Sequence, residues 1–105
     1  MRERDIEAHL VKRVKELGGE VRKVQWIGRV GAPDRFVMLP KTWIKKRGFP
    51  YAELGDFPAQ TIWVELKAPG AKPRPSQVRE HERMRAMGQR VVVIDSIEGV
   101  EELLR

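Results

Sequence analysis

The sequence predicts one α/β domain, a mixed β-sheet flanked by helices in the order α-β-β-β-α-β with a short C-terminal helix. Three observations carry this. Apolar residues recur at helical spacing near the N-terminus. Three short apolar or alternating runs follow, separated by Gly- and Pro-bearing turns. The third of these runs, a helix and a β-branched run then stand in sequence, the pattern of a right-handed βαβ crossover.

Residues 3–17 are expected to form the first helix. At about 100° per residue, Ile6, Leu10, Val14 and Leu17 share one stripe, with Val11 at its edge, and Gly18-Gly19 ends it. Glu7 projects within the apolar arc close to Val14, whereas His9 points away. A carboxylate there either reaches solvent at the margin or needs a pairing charge or a cation. Residues 21–26 read as a strand. The span Gly28-Arg29-Val30-Gly31-Ala32-Pro33-Asp34-Arg35 is a turn, and Phe36-Val37-Met38-Leu39 is the second strand. Asp34 opens that strand, where aspartate is disfavoured. It is either a turn residue bonding its own backbone or a group with a further task.

Residues 40–60 are irregular, punctuated by Pro40, Gly48, Pro50, Gly55 and Pro58. Lys41, Lys45, Lys46 and Arg47 interleave with Trp43, Phe49, Tyr51 and Phe57. That mixture suits nucleic-acid stacking and phosphate contact. It equally suits a satellite hydrophobic cluster or a subunit contact. Thr61-Ile62-Trp63-Val64-Glu65-Leu66-Lys67 reads as a buried strand with Ile62, Val64 and Leu66 on one face and Trp63, Glu65 and Lys67 on the other. After the loop 68–74, Pro75 as first residue or Ser76 as N-cap starts a helix to about Met87, on which Gln77, His81 and Met84 share a face. Arg90–Asp95 reads as a strand buried on both faces, and 97–104 as a closing helix.

With 105 residues and 41% hydrophobic composition, a single domain over 1–105 is expected, with no repeat or linker. No apolar run approaches the roughly 18 residues of a membrane helix, and the charged N-terminal pattern is unlike a signal peptide. An intracellular protein without a membrane partner is the expectation. The absence of cysteine excludes disulfides and thiolate metal sites. A net charge of +6, from 21 Lys+Arg against 15 Asp+Glu, suits a polyanionic partner, or solubility alone.

Glu7, Asp34 and Glu65 share one anomaly, a carboxylate where an apolar or neutral residue is expected. Two unit charges 4 Å apart repel by about 4 kcal/mol at an effective dielectric near 20. If the three converge, Lys67 neutralises only one, so convergence calls for a divalent cation or raised pKa values. Oxygen donors, with neither His at helical or strand spacing to them, favour a hard ion, Mg²⁺ or Mn²⁺, over zinc.

In four parts and in order, the chain resembles the VRR-NUC (virus-type replication-repair nuclease) group of the PD-(D/E)xK, restriction-endonuclease-like superfamily. The parts are the helical Glu7, the G-x-P-D loop Gly31-Ala32-Pro33-Asp34, the E-x-K of Glu65-Leu66-Lys67, and the helix opening Ser76-Gln77. The resemblance covers nearly the whole chain. It implies the restriction-endonuclease-like α-β-β-β-α-β core and metal-dependent hydrolysis of DNA phosphodiesters. Small stand-alone members resemble homodimeric four-way (Holliday) junction resolvases, and larger relatives resemble flap and repair nucleases. A non-catalytic DNA-binding module on the same fold is the alternative from another class. By position, the resemblance makes Asp34 and Glu65 carboxylate ligands of Mg²⁺ or Mn²⁺, Leu66 a ligand through its carbonyl, and Glu7 a residue that completes or tunes the site. Lys67 would act mainly electrostatically, since lysine is a weak general base, and Gln77 would position water or DNA. Lys72 and Arg74 are the first choice for phosphate contacts, with Arg29 and Lys45–Arg47 behind them. The segment 40–60 departs from the pattern.

Overall fold

The computed structural model describes residues 1–40, 42–43 and 61–105. The basic residues Lys41 and Lys45–Arg47 and the aromatic Phe49, Tyr51 and Phe57, singled out above, lie outside the described residues. Helix α1 spans Glu3–Glu16, followed by strands β1 (Glu20–Lys23), β2 (Arg35–Met38) and β3 (Thr61–Leu66). Helix α2 (Pro75–Ala86), strand β4 (Val91–Ile94) and helix α3 (Ile97–Leu104) complete the order. The sheet runs β1-β2-β3-β4, antiparallel across the first two pairs and parallel between β3 and β4. This is the expected mixed sheet. None of the described helices is long and apolar enough to cross a membrane.

The core lies between the sheet and α1. Ile6, Leu10 and Val14 are fully buried and meet Val37, Ile62 and Val64, while Val100 and Leu104 of α3 join the same cluster. Each such aliphatic side chain contributes about 1.5–3 kcal/mol of burial free energy. His9, which points off the apolar stripe, meets Glu101 of α3 at 2.7 Å, and Arg13 meets the same carboxylate at 2.8 Å. Trp43 also belongs to the core, its indole N–H donating to the Leu104 carbonyl at 3.3 Å. For this residue of the irregular segment, the hydrophobic-cluster alternative holds.

Alternation along β3 turns Glu65 to the sheet face opposite α1, and α2 covers that face with Gln77, Glu80, His81 and Met84 buried. At the start of α2, Pro75 is the first helical residue and Arg74 the N-cap.

Two strand expectations need correction. The β1 pairing stops at Lys23, short of Trp26. There the chain leaves the sheet, and the Trp26 ring turns onto Trp63, 5.1 Å between centroids. The β4 run is not buried on both faces, because Val93 is 37% exposed. β4 is an edge strand, and Val93 pairs with Glu65 on the α2 side, whereas Val91 two residues earlier is buried. The cover on this face therefore thins toward the end of the sheet that carries Glu65.

Candidate active site

Strand register brings the first two acidic residues together. β2 and β3 pair Arg35 with Val64, so one step further along the same register sets Asp34 opposite Glu65. Asp34 is held there by its surroundings. Its carbonyl accepts from Val24 N–H at 2.9 Å, and the carbonyl of the buried Pro33 accepts from Trp26 Nε1 at 2.7 Å. Gly31, at φ +88°, lies so close to α2 that a Cβ would come within 2.4 Å of the Ser76 carbonyl oxygen. Only glycine meets both demands without strain. Arg29 adds a tie, its Nε 3.2 Å from Glu80, a carboxylate 3% exposed that also pairs with Arg83 at 2.7 Å. The loop that ends at Asp34 is thus fastened to both the sheet and α2.

Glu65 is the electrostatic centre. The residue is 8% exposed, and its Oε1 is buried with no hydrogen-bond partner among the described residues. Burial pushes the carboxyl up to about 7; the Lys67 ammonium opposes this, the Asp34 and Glu3 carboxylates add to it, and Arg74 opposes it again. Asp34, Glu65 and Lys67 thus sense one another at this end of the sheet. Lys67 is half-buried, with its backbone N–H bonded to the Ile94 carbonyl at 2.9 Å.

Two residues of this neighbourhood were not assigned a role from the sequence. The first is His81, 1% exposed, whose Nε2 lies 3.5 Å from Glu65 Oε1 and also has no hydrogen-bond partner among the described residues. Burial, with Arg85 and Lys67 nearby, holds its pKa below the usual histidine value, so the ring is neutral near pH 7. The available signal was its place one turn after Gln77 on the same helix face. Spacing along one element, however, does not reveal a partner on another.

The second is Arg35. It is 8% exposed and sits between the other two acids. Its Nε donates to Glu7 Oε2 at 3.1 Å, its Nη2 pairs with the same oxygen, and its Nη1 lies 2.8 Å from Asp34 Oδ1. Glu7 therefore reaches Asp34 through a guanidinium instead of joining Glu65. Among the described residues, no group of three or more His, Asp or Glu is arranged to hold a metal ion. The three carboxylates do not form a single cluster. Arg35 follows the strand alternation onto the α1 face with Val37, and Glu7 occupies the apolar stripe of α1. Each is the counter-charge the other lacks.

What remains for a cation is the Asp34 and Glu65 carboxylates, with the Leu66 main-chain carbonyl beside them. These are hard oxygen donors, one with a buried oxygen that has no partner among the described residues, and a small set of this kind suits an ion that keeps several waters. The donor chemistry fits Mg²⁺ or Mn²⁺. A cleft of about 410 Å³ lined by Lys23, Val24, Gln25 and Asp34 opens beside the Asp34 carboxylate.

Gln77 is 5% exposed, and its Oε1 accepts from Arg74 N–H at 2.8 Å, closing the first turn of α2. Lys72 and Arg74 are exposed just before that turn. Arg29 is half-exposed but already committed to Glu80. Trp63 packs on Phe36 at 4.5 Å as well as on Trp26, an aromatic group on the face of β3 that also carries Glu65.

No family model matches the chain. Over 96 residues it is 43% identical to a protein described as "Putative nuclease p44" from Acyrthosiphon pisum secondary endosymbiont phage 1, covering 91% of this chain and 85% of that one. A solved structure described as "VRR_NUC domain" superposes with a TM-score of 0.72 at 37% identity, over 97% of this chain and 92% of the other.

Proposed function

Because the chain belongs to the VRR-NUC nuclease family, we propose that it is a divalent-metal-dependent DNA endonuclease, using Mg²⁺ or Mn²⁺. One observation carries this reading. One residue beyond the Arg35–Val64 pair, Asp34 falls opposite Glu65, whose buried Oε1 has no hydrogen-bond partner among the described residues, and Lys67 follows two residues later in the E-x-K run. Asp34, Glu65 and the Leu66 carbonyl would hold the cation. When bound, the cation supplies Lewis-acid activation of water and of the scissile phosphate.

The protein's own groups prepare that site. Lys67 sets a positive charge where the phosphate gathers negative charge during the displacement. Arg35 fixes the Asp34 carboxylate from behind, and Glu7 fixes Arg35. Glu7 in this reading tunes the site and is not a ligand. Gln77 stabilises the start of α2, which faces the site through His81 four residues on. Lys72 and Arg74 contact backbone phosphates, where free N–H groups of the same helix end also favour anions. Arg29 acts through the loop it ties down, with phosphate contact secondary.

The substrate proposed is branched DNA, most of all the four-way (Holliday) junction, cut by a homodimer. Two strands of a two-fold substrate call for two sites in fixed relation. A flap or repair nuclease on the same fold is the second reading. A non-catalytic binding module would have lost part of the acidic set, whereas Asp34, Glu65 and Lys67 are all present. The test compares cleavage of duplex, flap and four-way junction DNA by the purified protein, with its mass measured by sedimentation at assay concentration. Preferred cutting of the junction by a dimer supports the proposal. Equal cutting of plain duplex, or a mass of one chain, overturns the resolvase part of it.

A further inference from the structure

Glu65 Oε1 and His81 Nε2 face each other 3.5 Å apart, and neither has a hydrogen-bond partner among the described residues. That separation is too long for an N–H···O bond, which favours about 2.9–3.0 Å. Two buried polar atoms left in this way are uncommon, and each calls for an explanation. His81 cannot supply the movement that would pair them. Its side chain is 2% exposed, and its backbone lies in the middle of α2. Glu65 can, because three side-chain torsions separate its carboxylate from the strand. The direction of that movement is also set. On one side stands His81, and on the other the cover thins toward Asp34 and the half-open Val93.

We propose that His81 is a positioning residue for Glu65, donating its Nε2–H to Oε1 and thereby leaving the second carboxylate oxygen to face Asp34 and the cation. The inference rests on the metal-dependent reading above and adds to it a residue and an orientation. A carboxylate fixed by a donor on one oxygen binds through the other with less ordering to do on arrival of the ion. Groups that hold a metal's ligands in this way are commonly worth 10–100-fold in affinity. The nitrogen is not a ligand in this arrangement, so the donor set remains oxygen only.

The test is titration of Mn²⁺ into the full chain by calorimetry, with wild type, His81→Gln, His81→Phe and His81→Met. Glutamine carries an amide N–H near the position of Nε2, whereas phenylalanine fills the space without a donor. Methionine repeats the apolar comparison if the phenylalanine ring is not accommodated. The expected result is a 10–100-fold weaker Mn²⁺ affinity for the apolar variants, with His81→Gln within about threefold of wild type. Wild-type affinity in a folded apolar variant would reduce His81 to a space-filling role and overturn the inference. A His81→Gln protein as weak as His81→Phe would do the same. Electron–nuclear coupling from Mn²⁺ to a ¹⁵N-labelled imidazole would also contradict it, by making His81 a ligand. If wild type itself binds no Mn²⁺, the metal-dependent reading fails first, and that failure is distinct from the other three.

Discussion

Replacing Glu65 by glutamine in metal-free protein is expected to stabilise the fold at alkaline pH and to change little at acid pH. Glu65 is 8% exposed, and burial moves its carboxyl from 4.5 to about 7, so the fold favours the neutral acid. A group whose pKa is higher in the folded than in the unfolded chain contributes its full stability below the unfolded value. That contribution is lost as pH rises through the folded value. The window here runs from 4.5 to about 7. At about 1.4 kcal/mol per pKa unit, the loss once the carboxylate is fully ionised is about 3 kcal/mol. Glutamine keeps the shape and cannot ionise. Urea unfolding in EDTA, followed by circular dichroism at about pH 5 and pH 8, should therefore show the gap between Glu65→Gln and wild type widening by most of that amount, equivalent to roughly 10–20 °C in Tm for a domain of this size. Saturating Mg²⁺ should restore wild type at the higher pH and leave Glu65→Gln unchanged, because only an ion that binds the folded state stabilises it. A gap that stays constant between the two pH values to within about 0.5 kcal/mol would refute the placement of Glu65 in a desolvated site.

Arg35→Met should destabilise the protein by about 1.5–3 kcal/mol, since charge-assisted bonds to Glu7 and Asp34 are lost. Adding Glu7→Gln should recover part of that loss in a double-mutant cycle. Gly31→Ala should cost at least about 1–2 kcal/mol in thermal unfolding, because φ +88° and the nearby Ser76 carbonyl both oppose a side chain. It should also slow cleavage, since the loop it distorts carries Asp34. For DNA binding, affinity should fall steeply with salt. Lys72→Ala with Arg74→Ala should reduce the slope of log K against log[salt] by about 2 while leaving folding unchanged.

The fold was legible because its signals are local. The stripe Ile6-Leu10-Val14 shows α1, the alternation of Ile62-Val64-Leu66 shows β3, and the prolines and glycines between runs show the turns. Asp34, Glu65 and Lys67 stood out in the sequence for the same reason, since each breaks a pattern along its own element. What the chain brings together across elements was not. Glu7 and Arg35 are two anomalies that cancel, one on α1 and one on β2, and seeing this requires knowing which faces meet. His81 reaches Glu65 only because α2 folds back over β3. Val93 belongs to a β-branched run that propensity marks as buried. Its exposure follows from β4 being an edge strand whose cover thins there, a property of the assembled sheet. Trp63, puzzling beside two charges in the sequence, has a plain role once Phe36 and Trp26 are placed around it.

The most direct measurement is single-turnover cleavage of four-way junction DNA by wild type in Mg²⁺ and in EDTA, with Asp34→Ala, Glu65→Ala and Lys67→Ala alongside, each shown to be folded. The expected result is strand cleavage in Mg²⁺ that disappears in EDTA and in all three variants. Cleavage undiminished by EDTA would contradict the metal-dependent site, and wild-type activity in any one variant would contradict the role given to that residue.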